Sequence, residues 1–170
     1  MNYEINVKPI GIIHVEYSDE EIKNAWPGGV EGVIEVFPEY EEGLEGIDGF
    51  SHLLVIVWLH KVTMEQRKVL RIRHRRLVRY GVPLSELPEV GVFCSDSPHR
   101  PNPIGIDIVK LLRRDGRFLY VEGLDLFDGT PVLDIRALTP DMMPRKISVP
   151  NWYIRLREVI ERYTGRKIAP

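Results

Sequence analysis

The sequence of 170 residues contains one cysteine, Cys94. A single cysteine excludes an internal disulfide framework, and no cysteine and histidine cluster has zinc-ligand spacing, so a metal is not expected. No apolar run is long enough to cross a bilayer. The first residues are acidic and polar, whereas a signal peptide needs a basic start followed by an apolar stretch. These absences predict a cytoplasmic protein with no membrane or metal partner.

The sequence also lacks a G-x-G-x-x-G motif and the alternating strands and helices of a Rossmann domain. It has instead short apolar segments with period-two alternation, separated by turns. The predicted strands are 7–16, 32–37, 51–60, 69–76, 90–94, 104–112, 118–124 and one within 125–135, whereas 20–30 shows no clear pattern. Together with one convincing helix at 151–164, they predict a mainly β fold with a closed or nearly closed β-barrel at 1–143 and a basic helical extension at 144–170.

Charge is segregated along the chain. Residues 61–79 contain 8 basic and 1 acidic residues, and residues 144–170 contain 7 and 2, whereas residues 1–60 contain 2 and 12. Two basic segments in an acidic protein are typical of a surface that binds a polyanion. The alternative is a solvated basic strand and helix that only keep the protein soluble.

The segment Arg100–Gly105, RPNPIG, is a rigid polar turn between two predicted strands. Each proline restricts its own φ and the conformation of the residue before it. The neighbouring polar side chains therefore lose little conformational freedom when they bind a ligand. The motif favours a binding site, although a rigid surface turn is the simpler alternative.

Three segments in this order resemble the TrmO family, also called the YaeB or TsaA-like family: GFSHLLVIVWLHK (49–61), GVFCSDSPHRPNPIGID (91–107) and GLDLFDGTPVLDI (123–135). The resemblance covers about residues 7–140, and the chain is similar to the shorter members. It implies a methyltransferase that depends on S-adenosyl-L-methionine (SAM), with a β-barrel SAM domain, acting as a homodimer. Bacterial members methylate N6 of threonylcarbamoyl-adenosine beside the tRNA anticodon, which implies the anticodon arm as partner. The chain departs from the family pattern at Asp96, where the family has an arginine.

The resemblance and the chemistry of SAM together indicate a cofactor site. Apolar residues are candidates to wall the adenine, backbone groups to read its edge, Asp96 or Asp125 to accept from the ribose hydroxyls, and cationic groups to bind the methionine carboxylate. The predicted cofactor-binding residues are His60, Lys61, Asp96, Arg100, Pro103, Ile104, Gly105, Ile106, Leu124, Asp125, Leu126 and Phe127. Among them Pro103, Ile104, Ile106 and Leu126 are the apolar candidates.

Methyl transfer from a sulfonium depends mainly on alignment, because the methyl group is already activated. An acceptor must hold the N–H of the adenine amine in line, and Asn102 and Asp125 are the predicted catalytic residues. Cys94 is expected to be a small buried strand residue, because nothing near it resembles a nucleophilic cysteine and histidine pair.

The RNA-binding prediction follows from the two basic segments, since phosphate contacts position an RNA on a cationic surface. The predicted residues are Arg71, Arg73, Arg75, Arg155, Arg162 and Lys167. The apolar stripe of the C-terminal helix is expected to dock on the barrel or on a second subunit. Two alternatives stay open: a SAM-binding module without catalysis, and a SAM-dependent methyltransferase with another substrate.

Overall fold

The computed structural model describes residues 4–167, in which eight strands and two α-helices occur. In chain order they are β1 (Gly11–His14), α1 (Asp19–Ala25), β2 (Val30–Val36), β3 (His52–Trp58), β4 (Arg71–Ile72), β5 (Val90–Gly91), β6 (Ile104–Asp115), β7 (Phe118–Leu124), β8 (Pro131–Ala137) and α2 (Asn151–Thr164). The chain divides into two compact units. We call Met1–Lys61 with Ile104–Met142 the barrel unit, and Val62–Pro103 with Met143–Pro170 the basic unit.

The barrel unit contains a closed antiparallel barrel with the strand order β1-β2-β7-β6-β3-β8. This confirms the predicted mainly β fold. Alternate residues of each strand point inward, and Ile13, Ile34, Leu53, Leu119 and Val132 have no exposed surface. The hydrophobic effect of burying these side chains holds the barrel closed.

Helix α1 lies in the segment for which the sequence showed no clear pattern. Its signal is a capping box: Ser18 Oγ accepts from the Glu21 N–H, and the Glu21 carboxylate accepts from the Ser18 N–H at 2.8 Å. The helix has only 7 residues and one buried side chain, Ile22. A helix this short cannot show a clear 3.6-residue periodicity, which explains why the pattern failed to predict it.

The predicted strand at 69–76 is wrong in the basic unit. Strand β4 contains only Arg71 and Ile72, which pair with the two residues of β5, and a 3-10 helix follows at Arg75–Tyr80. The Leu77 N–H donates to the His74 carbonyl, and Leu77 is 2% exposed. Burial of Leu77 requires the helical turn, and this outweighs the alternation of arginines and apolar residues. The predicted strand at 90–94 likewise ends at Gly91 and continues as a 3-10 helix.

Helix α2 begins and ends at the predicted residues. Gly165 caps its C-terminus: the φ of this glycine, 67°, is left-handed, and its N–H donates to the Glu161 carbonyl at 2.8 Å. Leu156, Val159 and Ile160 are buried. The helix packs on the 3-10 helix Arg75–Tyr80 of its own unit, a contact that the sequence did not predict. Within the described residues, neither α-helix has the length and hydropathy needed to cross a membrane.

Candidate functional site

The RPNPIG motif passes from one unit to the other along the chain. Arg100–Pro103 belong to the basic unit, and β6 of the barrel unit begins at Ile104. The predicted cofactor residues are therefore divided between the units. His60, Lys61, the β6 residues and Leu124–Phe127 lie in the barrel unit, whereas Asp96, Arg100, Asn102 and Pro103 lie in the basic unit.

The loop before the motif is rigid, because its own hydrogen bonds hold it. Arg100 donates from Nε to the Ser97 carbonyl at 2.8 Å and from Nη2 to the Ser95 carbonyl. Two serine hydroxyls accept backbone N–H groups two residues later, from Ser97 and from His99, both at 3.3 Å. The guanidinium of Arg100, predicted to bind the methionine carboxylate, thus makes structural contacts with the loop.

The other predicted residues of the basic unit differ in accessibility. Asn102 and Asp96 are exposed, and Pro103 is buried. The charge of Asp96 acts on His74: burial lowers the pKa of His74, and Asp96 partly opposes this effect. Nε2 of His74 is buried and has no hydrogen-bond partner among the described residues, and the ring lies 6.3 Å from that of Trp152.

The predicted adenine-binding side chains lie in different environments of the barrel unit. Ile104 and Ile106 are 38% and 67% exposed and lie on the outer face, whereas Gly105 lies on the inner face opposite Val57. Leu126 is 5% exposed and belongs to the core of the barrel unit. The structure thus places Ile104 and Ile106 on the outer face of β6 and Leu126 in the core, and the assignment of these residues to the adenine stays a prediction.

Three other predicted residues lie together in the barrel unit. Lys61 pairs with Asp19 at 2.6 Å, and its Nζ lies 4.7 Å from the centre of the Phe127 ring. Burial lowers the pKa of the neighbouring His60, and the charge of Lys61 lowers it further. The arrangement combines a cation, an aromatic face and a neutral imidazole at one place.

Asp125 is held by a residue that the sequence analysis missed. Its backbone N–H donates to the Asp107 carboxylate at 3.0 Å. Burial raises the pKa of Asp107 to about 6, and the charge of Asp125 adds to this increase. The available signal was an aspartate at an inward position of β6, between Gly105 and Val109, where apolar residues are usual.

The barrel unit also has a groove of about 400 Å³ that contains none of the predicted site residues. Its lining includes the ion pair of Lys110 and Glu122 at 2.7 Å, and the backbone of Gly29 and Gly123. A Cβ on Gly29, whose φ is +70°, would lie 2.4 Å from the carbonyl carbon of Gly123, so only glycine fits there. The full lining is Gly28, Gly29, Val30, Glu31, His52, Ile108, Lys110, Glu122 and Gly123.

The predicted RNA-binding residues all lie in the basic unit, which contains 15 basic and 6 acidic residues. Arg71 and Arg73 both approach Glu89, at 2.8 and 3.8 Å, and Lys167 lies 3.8 Å from Glu161. The other three are Arg75, Arg155 and Arg162, which are exposed. Within residues 4–167, none of these three arginines forms an ion pair with an acidic residue. Their charges are therefore exposed to solvent and available to an anion.

Cys94 is exposed in the 3-10 helix Val92–Cys94, and the prediction of a buried strand residue is wrong. The helical turn buries Val92 and turns the next side chains to solvent. No cluster of three or more potential metal-ligating His, Cys, Asp or Glu side chains occurs in the part of the chain that the structure describes.

Comparison with known proteins places this geometry in a family. Residues 14–142 match the family model of the tRNA-methyltransferase O N-terminal domain. A probable SAM-binding protein of Pyrococcus abyssi is 37% identical over 142 residues, which is 82% of this chain and 71% of that protein. The tRNA (adenine(37)-N6)-methyltransferase of Mus musculus is 36% identical over 123 residues, which is 72% of this chain and 26% of that enzyme.

Solved structures show the same relationship. The crystal structure of TrmO from Pseudomonas aeruginosa aligns with a TM-score of 0.63 and 25% identity, over 99% of this chain and 65% of that one. This chain therefore spans less than two thirds of that structure. The match over residues 14–142, more than half of the sequence, shows that the chain belongs to the family of the tRNA-methyltransferase O N-terminal domain.

Proposed function

We propose that this protein is a SAM-dependent methyltransferase that modifies N6 of an adenosine beside the tRNA anticodon. The observation that carries the proposal is the family match over residues 14–142, which includes the RPNPIG motif and the segment Leu124–Phe127. The names of the P. abyssi and mouse relatives support the cofactor and the reaction.

The residues of the barrel unit fit the chemistry of SAM. Lys61 provides a cation for a carboxylate, Phe127 an aromatic face, and Asp125 a carboxylate for the ribose hydroxyls. Lys61 already pairs with Asp19, so a bound carboxylate would share this ammonium group. An ammonium has three donors and can serve two carboxylates at once.

SAM supplies an activated methyl group on its sulfonium. The protein's task is to align the acceptor and to hold its N–H, because the lone pair of an exocyclic adenine amine is conjugated with the ring. We assign this task to Asn102, whereas Asp125, the other predicted catalytic residue, binds the ribose hydroxyls. Asn102 is exposed between Pro101 and Pro103, and its amide oxygen is a suitable acceptor for an N–H.

The RNA is assigned to the basic unit. Its excess of 9 positive charges contrasts with the barrel unit, which contains 8 basic and 19 acidic residues. Arg75, Arg155 and Arg162 are exposed and lack ion-pair partners among the described residues, which favours them for phosphate contacts. Arg71 and Arg73 would first have to leave Glu89.

The test is transfer of tritium from methyl-labelled SAM to bulk tRNA, followed by nucleoside analysis. We expect label in N6-methylated adenosine derivatives with the wild type, and a loss of at least tenfold in rate with Asn102→Ala. Arg136→Ala, an exposed cation of the barrel unit, is the matched control and should retain the wild-type rate. If the label appears in another base, the proposed substrate is wrong.

The second candidate function is SAM binding without catalysis. It is favoured by Asp96, which stands where the family has an arginine, and by the P. abyssi relative, which is named only as a SAM-binding protein. A protein that binds SAM but transfers no label to any tRNA would establish this alternative.

A homodimer and a cytoplasmic location are further parts of the proposal. Support for the homodimer comes from the outer face of β3 and β6, where Ile56 pairs with Ile106 and Trp58 pairs with Ile104. An exposed apolar patch of this kind is typical of a protein interface. Sedimentation equilibrium of the wild type and Ile106→Glu tests the dimer, and the variant should be monomeric.

A further inference from the structure

The segment Asp125–Phe127, which directly follows β7, is held at three consecutive residues. The Asp125 N–H donates to Asp107 at 3.0 Å, Leu126 is buried in the core, and the Phe127 ring lies 4.7 Å from Lys61 Nζ. Leu124 and Leu126, the neighbours of Asp125 on either side, are both buried, and this restricts the position of the Asp125 backbone. The segment is therefore preorganised before any ligand binds.

Asp107 is the unusual member of this set. It lies on the inner side of β6 and is partly buried, and its partner across the ladder on β3 is the apolar, fully buried Val55. The charged group that acts on it is Asp125, which follows β7. A partly buried carboxylate next to a second carboxylate is unfavourable for folding, so its presence in β6 points to a specific role.

We propose that Asp107 is a positioning residue for the cofactor: by accepting the Asp125 N–H, it fixes the place of the Asp125 carboxylate in the SAM site. This inference rests on the proposed function, because it takes Asp125 as a contact of SAM. Asp107 accepts hydrogen bonds from the backbone of Asp125 and of Ile108 in its own strand, so its proposed effect on SAM is indirect.

The electrostatic coupling of the two carboxylates predicts how SAM binding depends on pH. Burial and the charge of Asp125 raise the pKa of Asp107 to about 6 in the free protein. When Asp125 binds the ribose hydroxyls near the cationic groups of SAM, its repulsion of Asp107 decreases, and the pKa of Asp107 falls. A ligand that lowers a pKa binds the deprotonated form more tightly. Affinity for SAM should therefore decrease as the pH falls from 8 to 5.

The experiment is calorimetric titration of the full chain with SAM at pH 5, 6, 7 and 8. For the wild type we expect about fivefold weaker binding at pH 5 than at pH 8, which corresponds to a fall in the pKa of Asp107 from about 6 to about 5 when SAM binds. Asp107→Asn keeps an oxygen that accepts the Asp125 N–H but cannot titrate, so its affinity should change by about twofold or less over this range.

Two further variants separate positioning from stability. Asp107→Ala removes the acceptor and should bind SAM about tenfold more weakly at every pH, an effect of the size expected for one lost hydrogen bond. Asp134→Asn changes an exposed aspartate of β8 and should bind like the wild type, with the same pH profile. Thermal unfolding of each variant shows whether it is folded at the titration temperature, and Asp107→Asn carries the test if Asp107→Ala is unfolded.

The outcomes are distinct. A folded Asp107→Ala that binds SAM as tightly as the wild type, or a wild type with the same pH profile as Asp107→Asn, overturns the role of Asp107 and leaves the proposed function intact. A folded wild type that does not bind SAM overturns the proposed function, and the positioning role with it.

Discussion

Gly105 of the RPNPIG motif is predicted to be required for packing of the barrel unit. It lies on the inner face of β6, and a Cβ built on it would lie 2.9 Å from Val57 Cγ2, 2.9 Å from Leu59 Cδ2 and 3.3 Å from Leu59 Cγ. Carbon atoms pack at about 3.5–4.0 Å. Leu59 can rotate away, but Val57 is fully buried and its β-branched side chain has little rotamer freedom. The added methyl group of Gly105→Ala must therefore displace the strand or its neighbours.

The expected loss of stability follows from two opposing contributions. Overpacking of a core costs about 1–3 kcal/mol. Replacement of glycine by alanine in an ordinary backbone conformation stabilises a protein by about 0.4–1 kcal/mol, because the unfolded chain loses entropy. We expect a net decrease of about 1–2 kcal/mol in the free energy of unfolding. Urea unfolding monitored by circular dichroism measures it.

The control is Gly43→Ala, because a Cβ at Gly43 would meet no heavy atom within 4 Å. Its free energy of unfolding should stay within about 0.5 kcal/mol of the wild type. Val57→Ala removes the obstructing methyl groups, so the double variant should lose less stability than the sum of the single variants. If Gly105→Ala is as stable as Gly43→Ala, the packing explanation is refuted.

Three further predictions concern the α1 cap, His74 and the RNA surface. Ser18→Ala removes the cap of α1 and should lower the free energy of unfolding by about 0.5–2 kcal/mol in urea titration, whereas no loss would contradict the capping box. Burial lowers the pKa of His74 below its ordinary 6.5, so its stabilising contribution is complete above pH 6.5 and is lost as the pH falls through the lower folded pKa. Thermal unfolding of His74→Phe should therefore depend less on pH between 7 and 5 than that of the wild type, and identical profiles would refute this. Replacement of Arg155 and Arg162 together by alanine should reduce the slope of log affinity for tRNA against log salt by about two, and an unchanged slope would exclude phosphate contacts by these residues.

The strands of the barrel are the part of the fold that local sequence predicts well. Alternating apolar residues, with the Asp-Gly turns that precede β7 and β8, indicate β2, β3, β6, β7 and β8, because each strand has one face in the core. The strand expected at 69–76 failed for a physical reason. A strand needs a partner, and only the two residues of β5 pair with this segment. Which partner is available depends on the whole chain.

The candidate site, too, has features that the local sequence predicts and features that depend on the whole chain. The motif residues are recognisable in the sequence, and the structure shows a hydrogen-bonded loop directly before them. Asp107 has no motif of its own, because its significance depends on its contact with Asp125, 18 residues later in the chain. A local sequence pattern cannot predict a contact between residues that lie this far apart in the chain.

The sequence alone predicts the family from its motifs, a mainly β fold with a closed or nearly closed barrel from its periodicity, and the segregation of charge from its composition. Only the tertiary structure decides which side chains meet. It sends Ile104 and Ile106 to the outer face and Leu126 to the core, and it brings Lys61 to Phe127 and Asp107 to Asp125. Strand pairing and burial are cooperative properties of the folded chain, so the local sequence cannot determine them.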